Sequence, residues 1–191
     1  MADSHPIDHP PEAAAGLSVP PTVRRARTEE WRAARDLRLE MLADTPHSFG
    51  DVLADVVCWD DDRWITRHES DLLPDSEVFV AVDAAGRWVG QMAAREFHNY
   101  SPARAWLLGV YVTPAHRGAT TATALLEAVQ TWALDRGFAH LYLDVHEQAG
   151  AARKFYERQG FVATGVTAPY PLDVSTTELE MVKLLHPGSA H

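Results

Sequence analysis

Val110-Tyr111-Val112-Thr113-Pro114-Ala115-His116-Arg117-Gly118-Ala119-Thr120-Thr121-Ala122 is the stretch that decides the fold of this chain. An apolar, β-prone run passes through a turn carrying Pro114 and Gly118 into the start of a long amphipathic helix. The first turn of a helix has backbone N–H groups without intrahelical acceptors, and the helix dipole adds partial positive charge there. Such a junction holds anions, phosphate above all, largely through main chain. Arg117 and Gly118 sharpen that reading, because a guanidinium matches phosphate oxygens and a glycine lets the backbone approach a ligand closely.

The helix after the turn is well specified. Ala122, Leu125, Leu126, Val129, Trp132 and Ala133 recur at three- and four-residue spacing and share one face, whereas Glu127, Gln130 and Asp135 fall elsewhere. Gly137 stands where a helix commonly ends in a left-handed residue. Leu141-Tyr142-Leu143-Asp144-Val145 then reads as a strand. The unit is therefore strand, anion-binding turn, helix, strand.

With a second block added, these residues resemble the GCN5-related N-acetyltransferase (GNAT) superfamily. Arg117-Gly118-Ala119-Thr120-Thr121-Ala122 is similar to the Gln/Arg-x-x-Gly-x-Gly/Ala signature that cradles the pyrophosphate of acetyl-coenzyme A. Arg117 and Ala122 match its first and last positions; Thr120 replaces its central glycine. Ala152-Arg153-Lys154-Phe155-Tyr156-Glu157-Arg158-Gln159-Gly160-Phe161 is similar to the family's Ala-x-x-x-Tyr-x-x-x-Gly-Phe segment. The two blocks stand in the family's order and at its separation. Ala149 departs from an asparagine common among relatives.

The resemblance implies an α/β fold of mixed type: a central, mostly antiparallel sheet with one splayed parallel pair and flanking helices. It implies acetyl-coenzyme A as cosubstrate, gripped by Val110, Tyr111 and Val112 of the splayed strand and by Arg117, Gly118, Ala119, Thr120, Thr121 and Ala122 of the turn, with no metal. A backbone donor beside the developing thioester oxyanion would act as an oxyanion hole, and joint binding of amine and thioester would add proximity. Tyr156 is assigned as the acid that serves the departing thiolate, since phenol and thiol hold protons with similar affinity. Glu96 is assigned as the base for the amine on its place at a strand end near the splay, with Asp144 and His146 as alternatives. The acceptor is a small-molecule primary amine. A protein lysine or N-terminus, or a noncatalytic acyl-coenzyme A module, are the other readings of the same residues. A homodimer is the assembly the resemblance implies.

Composition bounds the rest. The 191 residues suffice for one substantial core, 46% of them are hydrophobic, and no apolar run is long enough to span a bilayer. Residues 1–21 contain Pro6, Pro10, Pro11, Pro20 and Pro21 and read as a disordered tail. Residues 22–186 read as the single domain and residues 187–191 as a short terminal tail. The start of the chain lacks the features of a secretory signal, so the expected location is the cytoplasm. A formal net charge of -10 argues against nucleic-acid binding and is compatible with a cationic amine acceptor. His5 and His9 lack Cys or acidic partners and read as solvated rather than metal-binding. Cys58 is the only cysteine, so no intrachain disulfide exists, and it reads as a packing residue.

Along the chain, residues 23–26 read as a first strand and Thr28 as the cap of a helix carrying Trp31, Ala34, Leu37 and Met41, which Pro46 ends. Phe49, in the loop that follows, reads equally as pocket lining or as a loop anchor. Asp60, Asp61 and Asp62 read as cap and first-turn acids of a second helix. Residues 78–82 and 87–97 form a hairpin, and residues 105–112 the strand of the motif. A helix at Ala151 and strands at 161–166 and 179–184 complete the chain, with Pro169 and Pro171 expected in the loop between those strands. Residues 45–51, 98–104 and 168–175 are the loops expected to shape the acceptor pocket.

Overall fold

The computed structural model describes residues 19–46, 49–118 and 120–186. The readings placed on residues 1–18, His47, Ser48, Ala119 and the segment 187–191 lie outside them. In chain order the elements are β1 (Thr22–Arg25), α1 (Trp31–Asp44), α2 (Leu53–Val56), α3 (Asp61–Asp71), β2 (Ser76–Val82), β3 (Trp88–Phe97), β4 (Arg104–Val112), α4 (Thr121–Asp135), β5 (His140–His146), α5 (Gly150–Arg158), β6 (Val162–Tyr170) and β7 (Asp173–Leu184). The strands form one sheet in the order β1-β2-β3-β4-β5-β7-β6. Every neighbouring pair is antiparallel except β4 and β5. This is the mixed α/β architecture, with its single parallel pair, that the sequence implied.

Strand alternation sends side chains to two different cores. On one face Phe79, Ala81, Val89 and Met92 pack with Leu125, Leu126, Val129 and Ala133 of α4 and with Tyr156 of α5. On the other, Val78, Val80, Trp88 and Tyr111 pack with Leu37 and Met41 of α1 and Trp64 of α3. Leu125, Leu126 and Val129 are fully buried, each contributing roughly 1.5–3 kcal/mol of transfer free energy. That apolar stripe, rather than helix propensity, holds α4 on the sheet.

Both site helices end by the same device. In α4, the Gly137 N–H donates to the Leu134 carbonyl and the Phe138 N–H to Ala133; in α5, the Gly160 N–H donates to Glu157 and the Phe161 N–H to Tyr156. Each glycine is left-handed, with φ of 84° and 87°. This is a Schellman termination with its hydrophobic contact, since Phe161 packs edge-on to Tyr156 at 5.7 Å between ring centroids. The Tyr-x-x-x-Gly-Phe spacing is thus a helix-ending pattern that fixes where Tyr156 points.

Asp60 caps α3 as expected, its Oδ1 accepting the Arg63 N–H at 2.9 Å. At α1 a 3₁₀ turn over Thr28–Glu30 comes first, and it is Glu30, not Thr28, whose carboxylate accepts the Arg27 N–H and pairs with Arg24. Three further expectations are corrected. Cys58 is exposed, because the short helix α2 turns Val56 into the core in its place. The last two strands are longer than their apolar runs, and Pro169 lies inside β6 rather than in a loop. An edge strand tolerates proline because one side of it needs no donor, and the β6–β7 register is interrupted on either side of this stretch.

Gly90 faces Val112 across β3 and β4, directly beneath α4. A Cβ there would lie 3.0 Å from the Tyr111 carbonyl oxygen, 3.2 Å from Val112 Cγ2 and 3.3 Å from Leu125 Cδ1. Gly90→Val should therefore destabilise the fold by about 1–3 kcal/mol, lowering Tm by roughly 2–4 °C per kcal/mol. An unchanged melting curve would show that α4 does not press on the sheet at this point.

Candidate active site

The sheet opens between its two parallel strands. Only Ala105 with Leu141 and Trp106 with Tyr142 stand in register, although β4 continues to Val112 and β5 to His146. On the opposite edge of β4 the register to β3 slips: Gln91 faces Tyr111, but Ala93 faces Leu108, so Gly109 and Val110 together oppose Met92. This is a β-bulge, with Gly109 at a φ of 56° and its carbonyl oxygen accepting from Gln91 Nε2 at 3.3 Å. A bulge bends its strand and increases its twist, which carries the end of β4 away from β5 and leaves main-chain groups of residues 107–112 without a strand partner on that side.

A cleft of about 840 Å³ passes through this gap. Its walls come from both sheet faces: Ala122, Ala152, Phe155 and Tyr156 from the α4–α5 side, and Ala34, Arg38, Trp64 and Phe49 from the α1–α3 side. Val110, Tyr111, Val112, Arg117 and Gly118 also line it. Thr120 and Thr121 lie at the start of α4, outside the lining, with Thr121 buried and Thr120 exposed.

The turn is held by its own hydrogen bonds. The Thr113 N–H donates to Val89, Thr113 Oγ1 lies 2.9 Å from His116 Nδ1, and Arg117 Nε donates to the Val112 carbonyl at 2.9 Å. The Arg117 guanidinium also pairs with Asp44 of α1 and lies over the Tyr111 ring. It therefore ties the turn to α1 as well as facing the cleft. Gly118 has a φ of 76°, so this is where the turn needs glycine. Thr120 has helical φ and ψ of −73° and −8°, so a side chain there costs no backbone strain. The Ala124 N–H donates to the Thr120 carbonyl, closing the first turn of α4.

Tyr156 lies where the turn, α5 and the gap meet. It is 6% exposed, packs edge-on to Phe155 and Phe161, and its hydroxyl has no hydrogen-bond partner among the described residues. Burial pushes its phenol well above the usual tyrosine range, so it carries its proton at any working pH. Burial likewise pushes Tyr111 up to about 12, helped by Asp44 and Glu40.

The carboxylates sort themselves differently from the sequence expectation. Glu96 does not line the cleft: at the far end of β3 it pairs with Arg136 and approaches His98 at 3.5 Å. Its position as base is corrected for that reason, since strand order had placed it near the splay but could not reveal its cationic partner. His146 lines the cleft, yet both ring nitrogens are engaged, Nε2 with Thr176 Oγ1 at 3.0 Å and Nδ1 with the Gln148 N–H at 3.3 Å.

Asp144 and Glu178 line the cleft without an ion-pair partner among the described residues. Across β5 and β7, Asp144 pairs with Glu180 and His146 with Glu178, so these four residues share one face. Burial, then the charge of Glu180, raises the Asp144 carboxyl against a weaker opposing hydrogen bond from the Trp106 indole. Burial, then the charge of Asp144, raises Glu178. The acids thus hold protons more tightly than free carboxylates. Among the described residues no three His, Cys, Asp or Glu are grouped to hold a metal ion.

The sequence missed Glu178, which lies one residue before the strand it delimited, and Arg38, which reads as an ordinary exposed helix position. Phe49 serves both roles left open for it, being buried and lining the cleft. Tyr170, at the end of β6, reaches across to donate to the Phe49 carbonyl oxygen at 3.0 Å. Of the three loops expected at the acceptor pocket, only the first lines it, through Thr45, Phe49 and Gly50; the last reaches only the Phe49 carbonyl, through Tyr170. Residues 100–104 instead line a separate hollow with Arg136 and His140.

The chain matches the family described as Acetyltransferase (GNAT) family over residues 31–161. It is 34% identical to a streptothricin acetyltransferase from Streptomyces lavendulae over 92 residues, 48% of each chain. The chain thus matches about half the length of that curated relative. Among solved structures it resembles a nourseothricin acetyltransferase (27% identity, TM-score 0.54, 59% of this chain and 67% of the other). It also resembles a putative acetyltransferase from Salmonella typhimurium, solved with its cofactor acetyl-CoA (20% identity, TM-score 0.69, 90% and 97%).

The Tyr170 bond is the strap between the β6–β7 hairpin and the loop holding Phe49. Tyr170→Phe should leave the Phe49 carbonyl unpaired at a cost of about 1–3 kcal/mol. Hydrogen exchange should rise in residues 45–52. Unchanged exchange there would mean that the loop is held by other contacts.

Proposed function

Because this chain belongs to the acetyltransferase (GNAT) family, we propose that it transfers the acetyl group of acetyl-coenzyme A to a primary amine of a small molecule by direct attack. The observation that carries the reading is the cleft through the gap between β4 and β5, which lets a donor from the α4–α5 side meet an acceptor from the α1–α3 side. The likeness to an enzyme named for an antibiotic substrate supports a small-molecule acceptor.

The residues fit the donor. Left-handed Gly118 and the N–H groups of the first turn of α4 suit a pyrophosphate, and the edge of β4 turned from β5 at Val110, Tyr111 and Val112 suits an amide-bearing arm. Thr120 adds a hydroxyl at the rim without altering the backbone.

Glu178 takes the ammonium proton, since burial and the neighbouring Asp144 raise its proton affinity while Asp144 preserves the negative field. The freed amine attacks the carbonyl carbon, forming a C–N bond. As the C–S bond breaks, the Tyr156 hydroxyl passes its proton to the leaving sulfur, and the phenolate is reprotonated by the surplus proton that the new amide nitrogen gives up, so neutral amide and coenzyme A thiol leave. Backbone N–H groups of β4 stabilise the oxyanion between these steps. An exposed edge strand β6, presenting Val162 and Val166, supports a homodimer.

Tyr156→Phe should lower turnover at least tenfold with the melting curve unchanged, read by thiol release over an amine panel. Near-normal turnover would remove Tyr156 from the chemistry. Activity should fall as pH drops through the raised Glu178 value. Asp144→Asn removes the charge that raises Glu178, so the acidic limb of kcat/KM should move to lower pH, whereas Glu178→Gln should abolish that limb along with most of the rate. A limb unmoved by either substitution would assign the base elsewhere.

A further inference from the structure

The acceptor half of the cleft is electrically lopsided. Arg38 of α1 and Arg67 of α3 share the single carboxylate of Asp51, at 2.5 and 3.1 Å, and Arg67 and Arg95 of the neighbouring strand β3 share Asp71, at 3.3 and 4.0 Å. Three guanidiniums thus face two carboxylates, and all three line the cleft. Arg38 is the least solvated of them, its side chain 14% exposed and stacked on Phe49 at 5.1 Å. Its Nε is buried without a hydrogen-bond partner. Nη2 is taken by Asp51, so Nη1, without a hydrogen-bond partner among the described residues, is the donor left for a ligand acceptor atom, and a guanidinium this poorly hydrated gains from one.

The β5–β7 side of the cleft has the opposite imbalance. Asp144 and Glu178 line it without an ion pair among the described residues, and the neighbouring His146 is tied up by Thr176 and Gln148. Buried Tyr170 feels the charges of both Glu178 and Arg38, and its hydroxyl anchors the loop that carries Phe49. One small pocket therefore presents an uncompensated cation on one wall and uncompensated anions on the other.

We propose that the acceptor is a zwitterion, an amine whose own carboxylate or other acid group is held by Arg38 while the amine faces Glu178 and Asp144. Arg38 is then a specificity residue that positions the amine. This rests on the acetyltransferase reading above and narrows it to amino-acid-like acceptors. A polyamine would place ammonium groups against three guanidiniums, and an amine without an acid group would leave the spare Arg38 donor unused. A guanidinium–carboxylate contact at one end of the acceptor also positions the amine at the other, which an attack along one line requires.

The test uses matched pairs: α-amino acids, each with its own carboxamide, and the diamine putrescine as a purely cationic probe. Thiol release from acetyl-coenzyme A is followed by steady-state kinetics, and titration calorimetry on protein saturated with coenzyme A reads binding without turnover. The acid members should exceed their amides and putrescine at least tenfold in kcat/KM or affinity. Arg38→Gln should bring the ratio near one by weakening the acids alone, chiefly through KM. Arg38→Lys keeps the charge and partners Asp51, so it should retain part of the preference if Gln impairs folding. Amides or putrescine bound or turned over as well as the acids by the unaltered protein would overturn the proposal, as would Arg38→Gln weakening both members equally. Failure to release thiol with every amine, although coenzyme A binds, would instead sink the acetyltransferase reading.

Discussion

The structure depends on an interrupted strand pairing. Two parallel neighbours keep register for two residue pairs and then separate, because the bulge at Gly109 and Val110 turns β4 away from β5. Unpaired backbone inside a sheet costs free energy comparable to the hydrogen bonds forgone, so such a gap persists only where surrounding contacts enforce it. Here α4 enforces it from one side through Leu125, Leu126 and Val129, and α1 from the other through Leu37 and Met41. The gap supplies main-chain groups without strand partners and a passage of about 840 Å³ between the two faces.

Packing and chemistry are not separable at this site. Tyr156 is both a core residue and the hydroxyl at the junction, and its place follows from a helix termination that uses Gly160 and Phe161. Arg117 similarly belongs to two accounts, since its bonds to Val112 and Asp44 hold the turn against β4 and α1 while its side chain borders the cleft. Exposed pairs such as Arg153 with Glu157 contribute at most about 1 kcal/mol, whereas the half-buried Arg38, Asp51 and Arg67 group shapes a cavity wall.

Much of this was legible in the residues. The period of the apolar positions gave α4, the glycines at 137 and 160 marked its end and that of α5, and the aspartate at 60 marked the start of α3. Two short blocks in the right order gave the architecture and the family. What failed did so for local reasons: Cys58 was judged by residue type without knowing that Val56 would take the buried place, and β6 was cut short because an edge strand can hold a proline that a central one cannot.

The sequence by itself determined the periodicity of the elements, the strand-to-helix turn with its Gly118, the helix endings and the tyrosine of the second block, because these depend on residues within a few positions of one another. Only the tertiary structure decided which carboxylates meet. Glu96 and Glu178 are equivalent as letters, yet strand order delivers one to Arg136 at the rim and the other to the cleft beside Asp144. Arg38 is likewise an unremarkable helix residue until packing removes its water. Charge, desolvation and partner choice are properties of distances between segments far apart in the chain, and those distances exist only once the sheet has formed.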